Sequence, residues 1–286
     1  MPDLIKLPLL KDHHSHPLLY ASMRDAIDFS PVESRTEANR IICEYRERNP
    51  DAPIVTGIGW KSELFDWTID ELNTLPPMAV FNVSLHALRY NEAGMNVLQD
   101  RYGDDVFQIE DIDWYEANLR VVLNWFANLN ASAEGLAAFY RTLETLGVGY
   151  AEELLLIDEN EINLFDHAGL TDRTRFWSAP DTYASLSAAA KERVAGLKLF
   201  TDGAIGARTA ALKRPFVADG VEPANHGMLI YSDDELPGTI EHCLKAKDAL
   251  AIHAIGDRSI DRQSQFLNLL TEISSAGVIS ALSMLN

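Results

Sequence analysis

The chain has 286 residues, 47% of them hydrophobic and 23% charged. That balance is ordinary for a globular protein and excludes a disordered chain, a collagen and a membrane bundle. With 24 basic against 43 acidic residues, the formal charge is −19, so nucleic acid and anionic lipid surfaces are poor partners. At roughly 150 residues per domain, the length suits two domains or one large α/β barrel.

Two cysteines, Cys43 and Cys243, are too few for a disulfide framework and read as reduced thiols. Met1 to Lys11 lacks a signal-peptide pattern, and no run approaches the roughly 18 apolar residues of a membrane span. The expected location is the cytoplasm.

Along the chain, the first strand is expected at Leu9–His14, entered through Pro8. A helix follows over Glu33–Arg48, with Ala38, Ile41, Ile42 and Tyr45 at helical spacing. Pro53–Ile58 and Met78–Val83 read as buried strands. Residues 90–147 read as a mostly helical insertion. Its strongest periodicity runs from Ile112 to Leu129, and a second helix over Ala133–Leu146 is stopped by Gly147. Glu152–Ile157 fits a strand or a buried helical turn equally. Gly196–Phe200 is a short apolar strand, and a glycine-containing loop follows from Thr201 to about Asn225. Met228–Tyr231 is expected as a strand, Asp233–Lys247 as a helix, Leu250–Ala254 as a strand and Ile260–Ile273 as a helix. Strands alternating with helices point to an α/β fold with a mostly parallel sheet.

Three stretches carry chemistry. In Asp12-His13-His14-Ser15-His16, strand alternation puts His14 and His16 on one face, where they can grip one metal ion with Asp12 behind them. A solvated turn is the other reading. In Leu197-Lys198-Leu199-Phe200, a lysine interrupts an apolar strand. Burying an ammonium is costly unless it is paired, neutralised or near something that changes its charge, although an edge lysine can also snorkel to water. In Ile252-His253-Ala254-Ile255-Gly256-Asp257, a histidine ends an apolar strand before a glycine turn, where α/β enzymes place ligands. A hydrogen-bonded core histidine fits as well.

In that order, the three stretches resemble the amidohydrolase superfamily. The longer words resemble its amidohydrolase-3 branch, typified by N-substituted formamide deformylase and AepA-like proteins. Those words are Gly57-Ile58-Gly59-Trp60, Val83-Ser84-Leu85-His86, Lys198 through Leu212 (KLFTDGAIGARTAAL), Gly227 through Leu236 (GMLIYSDDEL) and Ile252 through Asp261 (IHAIGDRSID). The resemblance implies a metal-dependent hydrolase that cleaves an amide or other non-peptide C–N bond of a small molecule. It assigns His14 and His16 to barrel strand 1, Lys198 to strand 4 as a carboxylated (carbamylated) lysine, and His253 to strand 5. These four would hold one or two ions of zinc or another divalent metal. Trp60, His86, Asp202, Arg208 and Asp257 become candidate substrate contacts, with loop-bracing ion pairs as the alternative for the last three.

The family's strand-6 histidine and strand-8 aspartate, its general base, have no match. The tail Ala276–Asn286 contains neither residue type, and His242 falls inside a helical pattern ahead of His253. The catalytic base is therefore unassigned. The expected fold is a TIM-like (β/α) barrel of the metal-dependent hydrolase type, one domain over 1–286, incomplete after barrel strand 5 with strands 6–8 largely missing. Such a barrel leaves strand edges for a completing partner chain or for self-association. A catalytically inactive truncated homologue that binds metal or a partner chain is the alternative function.

Overall fold

The computed structural model describes residues 8–83, 85, 87–111, 114–115, 118–156, 158–205, 208–216 and 224–273. In chain order the elements used below are β1 (Leu10–Ser15), β2 (Ile27–Asp28), α1 (Arg35–Arg48), β3 (Val55–Trp60), α2 (Ile69–Leu72), β4 (Met78–Asn82), β5 (Leu88–Tyr90) and α3 (Glu92–Tyr102). They continue with α4 (Leu119–Asn130), α5 (Ala133–Thr145), β6 (Val148–Leu156), α6 (Glu159–His167), β7 (Thr174–Ser178), β8 (Val194–Phe200), α7 (Glu235–Ala246), β9 (Leu250–His253) and α8 (Asp257–Ile273). The chain divides into two compact units, one formed by residues 1–17 with 140–286 and the other by 18–139.

The first unit holds a five-stranded parallel sheet in the order β1-β6-β7-β8-β9. Alternation along β8 and β9 separates its two faces. Leu197, Leu199, Leu250 and Ile252 pack against Leu236, Ile240 and Cys243, which recur at helical spacing on α7. Lys198 and Phe200 occupy the alternate positions, in register with Ala251 and His253. Gly196 is required where β8 passes β7, because a Cβ there would strike the Trp177 ring and the Ala249 carbonyl. The helix packing that buries one side of β8 therefore commits Lys198 to the other.

The second unit holds a four-stranded sheet, β2-β3-β4-β5, whose last pair is antiparallel. Local signals set its helices. Ser34 caps α1 by accepting from the Glu37 amide, and Thr68 with Glu71 forms a capping box at α2. One core gathers Phe29, Ile42, Val55, Trp60, Trp67 and Val80. Another joins Phe81, Leu98, Val122, Trp125 and Phe126.

This architecture corrects the expected incomplete TIM-like barrel. In such a barrel each strand pairs with the next parallel strand of the same sheet. Here β1 passes over the next four strands of the sequence and pairs with β6. The strands expected to follow it, at residues 53–58 and 78–83, belong instead to a separate sheet with an antiparallel edge, the first of them running over Val55–Trp60. The fold is α/β with a parallel five-stranded sheet and a second, mixed sheet. The strand expected at Met228–Tyr231 is also absent. Its amides make isolated hydrogen bonds, Met228 to the Thr209 carbonyl and Ile230 to the Thr201 carbonyl, in place of a ladder. Glu152–Ile157 resolves as strand through Leu156, while Ile157 and part of the periodic Ile112–Leu129 stretch lie outside the described residues. Among the described residues, no helix is long and apolar enough to cross a membrane.

Candidate metal centre

The three chemistry-bearing stretches meet on the five-stranded sheet. His14 lies near the end of β1, with His16 one residue beyond it. Lys198 is on β8 and His253 ends β9. Between Asp12 and Ser15 the pairing with β6 slips, three steps on β1 matching two on β6. Such a break in register re-aims side chains at a strand end. It leaves the His14 and His16 rings 5.9 Å apart and nearly perpendicular. The His253 ring centre lies 6.3 Å from that of His14. Phe200 forms a wall, its ring 5.3 Å from His253 and 5.0 Å from the Lys198 ammonium.

The electrostatics mark these groups as nitrogen donors in want of a partner. Lys198 is 1% exposed. The buried atoms Lys198 Nζ, His14 Nδ1 and His16 Nδ1 find no hydrogen-bond partner among the described residues. Burial pulls the Lys198 amine down to about 8, far below an ordinary lysine. Desolvation, followed by the charge of Lys198 and the neighbouring His16 and His253, pulls His14 down to about 3. Burial likewise lowers His253, against the opposing effect of its hydrogen bond with the Gly203 carbonyl at 3.2 Å. His14 and His253 are therefore neutral at physiological pH, the form that ligates metals.

This donor set fits a divalent ion. Half-buried imidazoles whose enclosed Nδ1 atoms lack partners, and a buried amine that sheds its proton readily, are costly when left alone, and a cation offsets that cost. Among the described residues, no three His, Cys, Asp or Glu side chains yet stand close enough to clasp an ion. Two imidazoles on one tetrahedral zinc have ring centres about 5 Å apart, so roughly an ångström of contraction separates these rings from that spacing.

The candidate substrate contacts fare differently. Asp202, 2% exposed, accepts from the amides of Ala211 (2.9 Å), Ile255 (3.0 Å) and Gly256 (2.7 Å). It ties the loop after β8 to the turn after His253. Asp257 is exposed at the start of α8 and accepts from the Lys213 amide. Arg208 is exposed, with a left-handed backbone at φ 56°. Trp60 is wholly buried in the core of the 18–139 unit, donates to the Phe65 carbonyl and carries the Arg89 guanidinium over its ring. His86 lies outside the described residues. Asp12 accepts from the His14 amide at 3.0 Å, so it orients the main chain there.

Sequence reasoning passed over two carboxylates. Glu152, at 8% exposed, meets the His13 ring at 2.8 Å, and Glu153, at 1%, lies 3.8 Å from His16 Nδ1. Adjacent glutamates opening the apolar run Leu154-Leu155-Leu156 were the available signal. The uncertain strand assignment hid which of them faced inward.

No protein-family profile matches the chain. YtcJ of Bacillus subtilis (strain 168), which bears the name of an amidohydrolase, is 22% identical over 90% of this chain and 54% of its own length. A crystal structure of an uncharacterized metal-dependent hydrolase from Pyrococcus horikoshii OT3 aligns with a TM-score of 0.66 at 21% identity, covering 92% of this chain and 56% of the other. A second, from Pyrococcus furiosus, aligns at 0.63 and 20% identity, covering 95% and 59%. The fold is shared with these metal-dependent hydrolases. The chain spans a little over half the length of the relatives it matches. The likeness to YtcJ agrees with the amidohydrolase resemblance of the motifs.

Proposed function

We propose that this chain is a metal-dependent hydrolase of the amidohydrolase-3 type, acting on an amide or other non-peptide C–N bond of a small molecule. The observation that carries the reading is the buried amine of Lys198, without a hydrogen-bond partner among the described residues, beside the neutral His14 and His253 and the nearby His16, with orphaned ring nitrogens on His14 and His16. His14, His16 and His253 would hold a divalent ion, zinc being the choice that suits an imidazole set. When bound, such an ion acts as a Lewis acid towards water and the scissile carbonyl.

The remaining roles belong to the chain itself. Lys198, largely free of its proton above pH 8, is nucleophilic enough to take up CO₂ as a carbamate, which converts a buried cation into an anionic oxygen donor. Phe200 walls the centre and limits water beside Lys198 and His253. Asp202 holds the turn after His253 in place through three amides.

The test is metal analysis joined to turnover. The purified chain is loaded with zinc, its bound metal is quantified, and it is assayed against N-acyl amino acids and N-substituted formamides. About one or two ions per chain with hydrolysis supports the proposal. Bound metal without turnover of any substrate favours a metal-binding homologue that has lost catalysis. Absence of tight metal overturns the reading.

A further inference from the structure

Beside the three histidines and Lys198 of the metal centre lies a buried carboxylate. Glu153 is 1% exposed, and full burial of an ionisable acid is rare unless something compensates it. It sits on β6, in register with Ser15 of β1. One carboxylate oxygen accepts from the Leu155 amide at 3.0 Å. That same oxygen lies 3.8 Å from His16 Nδ1, the ring nitrogen that has no hydrogen-bond partner among the described residues. The neighbouring β6–β7 pairing slips between Glu153 and Leu156, so the main chain bends where the Glu153 carboxylate folds back on it. The carboxylate is thus pinned by its own strand and presented to one particular nitrogen of one particular histidine.

An imidazole that ligates through one nitrogen almost always donates its other N–H to an oxygen, which sets its tautomer and its aim. From this juxtaposition we infer that Glu153 is the positioning residue of His16. It receives the Nδ1–H, holds the ring in the tautomer that carries its proton on Nδ1, and turns Nε2 toward the centre shared with His14 and His253. The 3.8 Å separation is longer than a formed hydrogen bond. Closing it takes a movement of about 0.8 Å, and contacts of this kind tighten when a site is filled. Glu153 also brings a carboxylate beside a cluster that otherwise consists of imidazoles and one amine, the kind of group that compensates a cation. Glu152 serves as the internal contrast. It is the adjacent residue, also a glutamate, yet its histidine partner is His13, which is exposed.

The inference rests on the metal-centre reading, and the experiment separates the two. Zinc affinity is measured by chelator competition on the wild-type chain and on Glu153→Ala, Glu153→Asp and Glu152→Gln. In parallel, the histidine tautomers are read from nitrogen–carbon correlation spectra of the metal-free, histidine-labelled protein. The expected result is a 10- to 100-fold weaker affinity for Glu153→Ala, partial recovery in Glu153→Asp and no change in Glu152→Gln. The His16 signal should move from the Nδ1–H to the Nε2–H pattern in Glu153→Ala alone. Unchanged affinity and an unchanged His16 tautomer in a folded Glu153→Ala chain would overturn the inference and leave the metal centre standing. If Glu153→Ala fails to fold, the wild-type spectrum decides, because an Nε2–H tautomer at His16 contradicts the assignment by itself. A wild-type chain that binds no zinc removes the metal-centre reading, and the tautomer measurement then decides whether Glu153 orients His16 in its absence.

Discussion

Replacing Lys198 by methionine should stabilise the metal-free protein. Methionine keeps the length of the side chain and the apolar contact with Phe200 while removing the ammonium. Burial lowers the amine from 10.5 to about 8, and a depression of that size costs the folded state about 3 kcal/mol at pH 7. The sign follows from proton counting. Between pH 8 and 10.5 the unfolded chain holds more protons at this site than the folded one, so the wild type gains stability as pH rises through that window. Below pH 8 the full cost is present. Lys198→Met should therefore exceed the wild type by about 3 kcal/mol at pH 7, and this ionisation advantage should shrink below about 1 kcal/mol by pH 10.5. The assay is urea unfolding of both chains in chelator and CO₂-free buffer at several pH values, compared through the difference between them, so that other titrating groups cancel. A variant no more stable than the wild type at pH 7, or an advantage that does not change with pH, refutes the claim that Lys198 is buried as an uncompensated amine.

Three further outcomes follow from the same geometry. Lowering the pH from 7.5 to 5 should destabilise the metal-free wild type more than His14→Asn, because His14 protonates only near pH 3 when folded but near 6.5 when unfolded; equal losses in paired urea titrations would contradict the depressed value. Asp202→Ala strips the acceptor from three main-chain amides and should cost about 3 kcal/mol by chemical unfolding, with a loss under about 1 kcal/mol arguing that the loop is held by other means. Trp60→Ala should cost about 3–5 kcal/mol and leave zinc affinity unchanged, since Trp60 is a core residue of the 18–139 unit; a selective loss of affinity or of substrate binding with stability intact would restore it as a ligand contact.

The strand positions of Lys198 and His253 were legible because their signals are local. A charged residue at alternate positions of an apolar strand, or a histidine at a strand end before glycine, is visible within a window of seven residues. Trp60 shows the opposite case. Its matching word suggested a place beside the site, whereas burial at 1% and a hydrogen bond to Phe65 make it part of a core. A short motif records residue identity but not which face of which sheet it lands on.

By itself, the sequence determined most of the helices and strands and the donor types, though not the Met228–Tyr231 segment, which forms no strand, nor the state of Glu152–Ile157. Periods of 2 and 3.6, caps such as Ser34 and Thr68, and the placing of His14, Lys198 and His253 on strands or at their ends all come from interactions spanning a few residues. Only the tertiary structure decided the partners. It paired β1 with β6, setting His13 against Glu152 across 139 residues of sequence and Glu153 against His16. It also divided the strands between two sheets where a single barrel had been expected. Strand pairing joins backbones whose hydrogen-bonding groups are alike at every position, so the choice among partners is made by the packing of whole faces, which no local window contains.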